Sequence, residues 1–210
     1  MLCKFLCVPS LGAVTDHDRS QRITDLDALK VFTHPLRIRL YRALFTARTA
    51  TASHLADQVD EAVSLVSYHL RKMAAHGFIV EAPEHSTDGR ERWWKISAER
   101  GFTFRNADFD EEPEGAAVIA RVTRQLLATR AERYQQYLDE QSAWPREWTN
   151  AAFSSEYMPL LNAAELQQMA EEIGELMQRW TDRGRAAEDA GDTAGREHVA
   201  VQMYGFPFRP

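Results

Sequence analysis

The 210-residue sequence predicts a mainly α chain with small β elements, an α+β class, on three observations. Apolar residues recur at helical spacing in successive short segments between residues 25 and 77. Two later segments, 114–142 and 162–183, keep that spacing over longer stretches. Between the two regions, Phe78-Ile79-Val80 and Trp93-Trp94 stand on either side of Asp88-Gly89, the pattern of a strand, a tight turn and a returning strand. Hydrophobic residues make up 44% of the chain, enough for a core that needs no disulfides.

Taken in order, a short helical pattern over 25–32 contains Leu26, Leu29, Val31 and Phe32 and runs into His34-Pro35. Proline suits the first turn of a helix, so a new helix is predicted over 35–45. Its Leu36, Leu40, Tyr41 and Leu44 share one side, with Arg37, Arg39 and Arg42 toward the other. Thr51 is placed to cap a helix over 52–58 that buries Leu55, Ala56 and Val59, and a polar connection follows over 57–61. The next helix, 62–76, is the informative one. At 100° per residue Val66, Leu70, Met73 and Gly77 form one stripe, while Ser64, Tyr68, Arg71 and Ala75 fall opposite, flanked by Ser67 and Lys72. Gly77 ends that helix as a C-terminal glycine would. A hairpin over 78–82 and 92–97 completes the region, with Trp93 and Trp94 on opposite faces of its second strand.

As an ordered set, Leu55-Ala56, a short turn, Ser67-Tyr68-His69-Leu70, Gly77 and Phe78-Ile79-Val80 resemble the ArsR-type family of bacterial regulators. The resemblance covers about 75 residues. It implies a winged helix-turn-helix over 22–100 and a cytoplasmic, dimeric regulator, repressor or activator, whose partner is a double-stranded DNA operator. A groove-facing helix needs short side chains near its N-terminus and hydrogen-bonding groups for base edges. Ser64, Ser67 and Tyr68 meet that need. Arg71 has the reach for a guanine or a phosphate, and Lys72 suits a phosphate. The resemblance puts Ser67 and His69 at or near the DNA backbone. His69 also lies beside Met73 on the helical wheel, so a packed histidine is an equal reading. In the wing, the resemblance implies backbone or minor-groove contact for Arg90 and Arg92, against a solvated loop diluted by Glu84, Asp88 and Glu91. A winged helix can also be a protein-interaction module without DNA. The polar, basic face of 62–76 counts against this; Leu65 at its edge hints at it.

Net charge is −6, but its sign is divided along the chain. Residues 22–100 carry 12 Lys and Arg against 10 Asp and Glu, whereas 101–210 carry 11 against 19. An acidic second half beside a mildly basic first half still permits phosphate binding, which depends on where the cations point.

The second half is expected to begin with a linker, 101–113, followed by a dimerisation helix, 114–143, with Ile119, Val122, Leu126, Tyr134, Tyr137 and Leu138 along one side. Residues 144–210 then read as a strand-helix-strand module for dimerisation or effector binding. Its first strand is expected over 150–158. Asn162 and Glu165 form a capping pair for a helix to 183, striped by Leu166, Met169, Ile173, Leu176, Met177 and Trp180. A second strand is expected over 198–206, where Val199, Val201 and Met203 alternate with Ala200, Gln202 and Tyr204. Trp144, Trp148, Phe153, Tyr157, Trp180 and Tyr204 either line a pocket for a small apolar effector or fill a core and a dimer interface.

Other classes are disfavoured. The sequence has no phosphate-binding glycine loop, nucleophile elbow or paired-histidine metal motif, so no enzyme and no cofactor are expected. The thiolate pair of metal-sensing ArsR-type proteins is absent from Ala56-Asp57-Gln58-Val59, and no histidine lies between His85 and His198. A metal-responsive repressor is therefore only an alternative reading. No apolar run nears the roughly 18 residues of a membrane span. Residues 1–21, with Cys3 and Cys7, are expected to be a disordered extension.

Overall fold

A computed structural model of the protein describes residues 2–5, 21–85, 91–98 and 101–209. Contacts divide the chain into two units, one reaching Thr129 and one running from Arg130.

In the first unit, helix α1 (Leu26–Lys30) passes through a 3-10 turn (Val31–Thr33) into α2 (Pro35–Ala47). The break falls where Pro35 removes a donor; the His34 side chain caps α2 by accepting from the Leu36 amide at 3.2 Å. Helix α3 (Ala52–Val59) opens on Thr51, whose hydroxyl accepts from the His54 amide at 3.2 Å. It ends at Asp60 in a left-handed conformation, φ 52°, which begins the turn into α4 (Val63–Ala75). Gly77, φ 73°, closes α4. Its amide donates to the Ala74 carbonyl at 2.9 Å and the Phe78 amide to that of Met73 at 3.1 Å, a Schellman arrangement with Met73 and Phe78 both buried.

The wing is a three-stranded antiparallel sheet, not a two-stranded hairpin. Strands β4 (Ile79–Glu81) and β5 (Trp93–Ile96) pair as expected, and β3 (Thr49–Thr51), not foreseen, pairs with the other edge of β5. Trp94 is buried and Trp93 half-buried, so the alternation of the pair holds.

A second sheet corrects two boundaries. Strands β1 (Leu2–Phe5) and β2 (Gln21–Arg22) flank β6 (Phe102–Arg105), β1 antiparallel and β2 parallel to it. Residues 2–5 are thus a paired strand instead of part of a disordered extension; 6–20 lie outside the described residues. The expected linker 101–113 is also core. Phe102, Phe104 and Phe109 are buried, and the Phe102 ring meets Phe78 at 4.5 Å and Tyr41 at 5.3 Å between centroids. Burying three phenyl rings gains far more than a solvated connection would. A 3-10 turn (Asn106–Phe109) leads on, with the Asp108 carboxylate accepting from the Arg105 amide and paired with Arg22.

The long helix α5 (Gly115–Glu140) is present and seals this core through Val118, Ile119, Val122 and Leu126. Gly115 sits where an added Cβ would lie 2.2 Å from the Phe109 carbonyl oxygen, so only glycine fits.

The second unit holds the end of α5, a 3-10 turn (Gln141–Ala143), α6 (Arg146–Ala151) and α7 (Ala163–Asp189). Asn162 caps α7 reciprocally with Glu165, as expected. Neither expected strand forms. Asn150 and Ala151 end α6, 152–161 run without sheet pairing, and so do 198–206. Alternation prescribes two faces for a segment, not a hydrogen-bonding partner, and 152–161 and 198–206 are not paired with each other. The segment 198–206 instead crosses helical surface: Gln202 donates to the Arg130 carbonyl at 3.1 Å, and the Arg130 guanidinium lies over the Tyr204 ring at 5.5 Å. Only Gly174 of α7 is buried; Leu176, Trp180, Phe153, Tyr157, Leu160 and Phe206 are exposed.

Candidate nucleic-acid interface

Helix α4 presents two unlike faces because its apolar residues recur every third or fourth position. Val66, Leu70 and Met73 are buried against the core, while Ser64, Tyr68, Arg71 and Lys72 are exposed and Ser67 is half-buried. Tyr68 keeps 45% of its surface free, and Val63 and Leu65 are similarly exposed at the start of the helix. Among the described residues, Arg71 and Lys72 meet no ion-pair partner.

The wing differs. Arg92 pairs with Glu81 at 3.2 Å and lies 5.7 Å over the Trp94 ring; Lys95 pairs with Glu84. The Lys95 ammonium beside Glu84 holds that carboxyl below its usual range. The wing's described cations are thus already matched by its own acids. Arg90 lies outside the described residues.

His69 departs from the backbone-contact expectation. Its residue surface is 3% exposed, its Nδ1 accepts from Arg37 Nε at 3.1 Å, and its ring packs 4.4 Å from that of His34. The packed reading is the one realised, because a side chain beside Met73 on the helical wheel faces α2. Burial, then the neighbouring His34 and Arg37 charges, lower the pKa of His69; burial, then Arg37 and Arg39, lower that of His34. Arg37 also donates to the Val31 carbonyl at 3.0 Å, and Arg39 clamps the turn through the Val59 carbonyl at 3.2 Å and Glu61 at 2.9 Å. The sequence places both arginines on the outer side of α2, but the partners His69, Val59 and Glu61 lie 20 or more residues away and no local pattern shows them.

The six aromatics considered for an effector are not gathered into one place. Trp144 and Trp148 form a pair 6.4 Å apart, Trp180 packs under Arg183, Tyr204 under Arg130, and Phe153 and Tyr157 are exposed. Trp144 lines a shallow cleft with Glu140, Ala143 and Pro145. Among the described residues no group of three or more His, Cys, Asp or Glu is disposed to hold a metal ion, and no helix is long and apolar enough to cross a membrane.

Three helices closed by a three-stranded wing, with one helix presenting a polar and basic outer face, define a winged helix-turn-helix protein. A family model described as a helix-turn-helix domain matches residues 32–82, which carry α2, α3, α4 and β4. No curated protein matches the chain.

Proposed function

We propose that the protein is a dimeric, ArsR-type transcriptional regulator that reads a double-stranded DNA operator with the outer face of α4. The observation that carries this reading is the exposed set Ser64, Tyr68, Arg71 and Lys72, whose two cations are unmatched among the described residues while those of the wing are matched. Small groups near the N-terminus of α4 let the backbone approach base edges; Ser67 borders that face. Arg71 takes a base edge or a phosphate and Lys72 a phosphate. Arg92 contacts DNA by exchanging Glu81 for a phosphate, and Arg90 is a further DNA contact in this reading. His69 serves indirectly, by holding α4 in place. Replacing Arg71 and Lys72 with alanine is expected to weaken duplex binding and lower its salt slope by about one for each phosphate no longer neutralised. Unchanged affinity and slope would assign reading to another element.

Homodimerisation through the second unit supplies the two-fold symmetry that a palindromic operator needs. It is supported by the exposed Tyr134 and Leu138 of α5 and Leu176 and Trp180 of α7, apolar surface that a single chain leaves open to water. A small apolar effector taken up by the same aromatic-rich module is part of the reading; thermal melts against a metabolite library test it, and no shift with any compound would remove it.

Exposed Val63 and Leu65 favour a second reading, a winged-helix protein-interaction module without DNA. In that case Val63→Ser with Leu65→Ser abolishes capture of a protein partner, whereas the Arg71 and Lys72 substitutions do not.

A further inference from the structure

We propose that His34, His69 and Arg37 form a proton-excluding latch that positions α4, so that the protein holds duplex DNA at neutral pH and releases it in mild acid. The proposal rests on the DNA-reading role given to α4 above.

The hydrogen-bond directions carry the argument. A guanidinium only donates, so the 3.1 Å bond from Arg37 Nε requires a lone pair on His69 Nδ1, and the ring hydrogen sits on Nε2. A backbone amide also only donates, so the Leu36 bond imposes the same tautomer on His34. A second proton on either ring must go to Nδ1, where it would face a donor. Protonating His69 therefore breaks its bond to Arg37, and protonating His34 removes the cap of α2.

The surroundings oppose that proton as well. The two ring centroids lie 4.4 Å apart, so double protonation would set two imidazolium ions against each other beside Arg37 and Arg39. The Tyr68 ring also faces the cluster, 5.1 Å from His69. Glu61 is the acid facing the cluster, and it is already paired with Arg39. His69 is buried, which limits screening on its side of the pair, while His34 is exposed. Because Arg37 also holds the Val31 carbonyl, a single guanidinium ties the turn before α2 to α4, and losing its bond to His69 unties the reading helix from that frame.

The sign of the effect is distinctive. Added positive charge alone would strengthen phosphate binding. The latch predicts the reverse: affinity falls as pH drops through the lowered values of His34 and His69, beneath the usual histidine value of about 6.5, by up to tenfold per pH unit for each proton excluded from the bound form.

The test is the affinity of the full chain for a selected duplex, measured by fluorescence anisotropy at constant ionic strength from about pH 7.5 to about pH 5.5. Wild type is expected to weaken about tenfold or more across that range. His34→Asn with His69→Gln keeps an acceptor for Leu36 and for Arg37 but cannot titrate. This double variant is expected to bind at neutral pH and to lose the acid weakening. Wild-type affinity that is flat or rises in acid, or a variant that weakens as wild type does, overturns the latch. Imidazole 15N spectra of the DNA-free protein provide a second readout, expected to show the Nε2–H tautomer on both rings at neutral pH; an Nδ1–H on His69 overturns the latch whatever the duplex does. Failure of wild type to bind any duplex at neutral pH would refute the reading role of α4 instead, and the spectra would still decide the latch.

Discussion

Replacing Phe102 with alanine removes a fully buried ring whose centroid lies 4.5 Å from Phe78, 5.3 Å from Tyr41 and 6.3 Å from Phe32. Core phenylalanine truncations cost about 3–5 kcal/mol. Three aromatic neighbours, each pair contributing about 0.5–1.5 kcal/mol beyond buried area, put this site in the upper half of that range. Against a total stability of about 5–15 kcal/mol, such a loss leaves the first unit marginal. Urea unfolding measures it, with Leu160→Ala as the control; Leu160 is fully exposed, so that change is expected to stay within about 0.5 kcal/mol. A cost below about 1 kcal/mol at Phe102 would refute the placement of β6 in the core and return 101–113 to the status of a linker.

Gly77→Ala puts a Cβ on a residue at φ 73° and is expected to cost about 1–2 kcal/mol, fraying the end of α4; hydrogen exchange at the Phe78 amide reads it, and unchanged protection would contradict the Schellman closure. Arg22, then burial and the Arg105 amide, set the Asp108 carboxyl, with the net effect of holding it below its usual range. A depressed carboxyl contributes stability above its unfolded value of about 3.9, lost as pH falls through the folded value. Asp108→Asn is therefore expected to be less stable than wild type at neutral pH, with the gap closing in strong acid; a gap independent of pH would contradict the pairing. Glu81→Gln releases Arg92 and is expected to strengthen duplex binding a few-fold, and no change would remove Arg92 from the interface.

The helix-turn-helix was legible because α3 and α4 each bury one stripe, and because Pro35, Thr51 and Gly77 mark helix ends chemically; α2 is buried more widely, Ile38 and Arg42 included, so Arg42 does not share the outer side expected of it. The side of α4 that stays exposed followed from the same wheel. Strand β3 was not legible: three residues, Thr49–Thr51, are too few to show a period. Strand β6 did carry a signal, the alternation of Phe102 and Phe104, but the run of acids from Asp108 to Glu114 drew the reading toward a solvated connection. In the second unit, Val199, Val201 and Met203 alternate without a strand because register needs a partner and none is paired there. His69 was ambiguous from its wheel position alone. Its role depends on Arg37, 32 residues earlier, a pairing that only the packing of α2 against α4 creates.

The most direct test of DNA reading by α4 is selection of bound sequences from a random duplex library by the full chain at near-physiological salt, followed by a salt titration on the winner. The expected result is a pseudo-palindrome with half-sites separated by one helical turn, about 10–10.5 base pairs, or a multiple of it, and an affinity that falls steeply with salt. Recovery of no sequence above non-specific binding, with Arg71→Ala and Lys72→Ala variants indistinguishable from wild type, would contradict it.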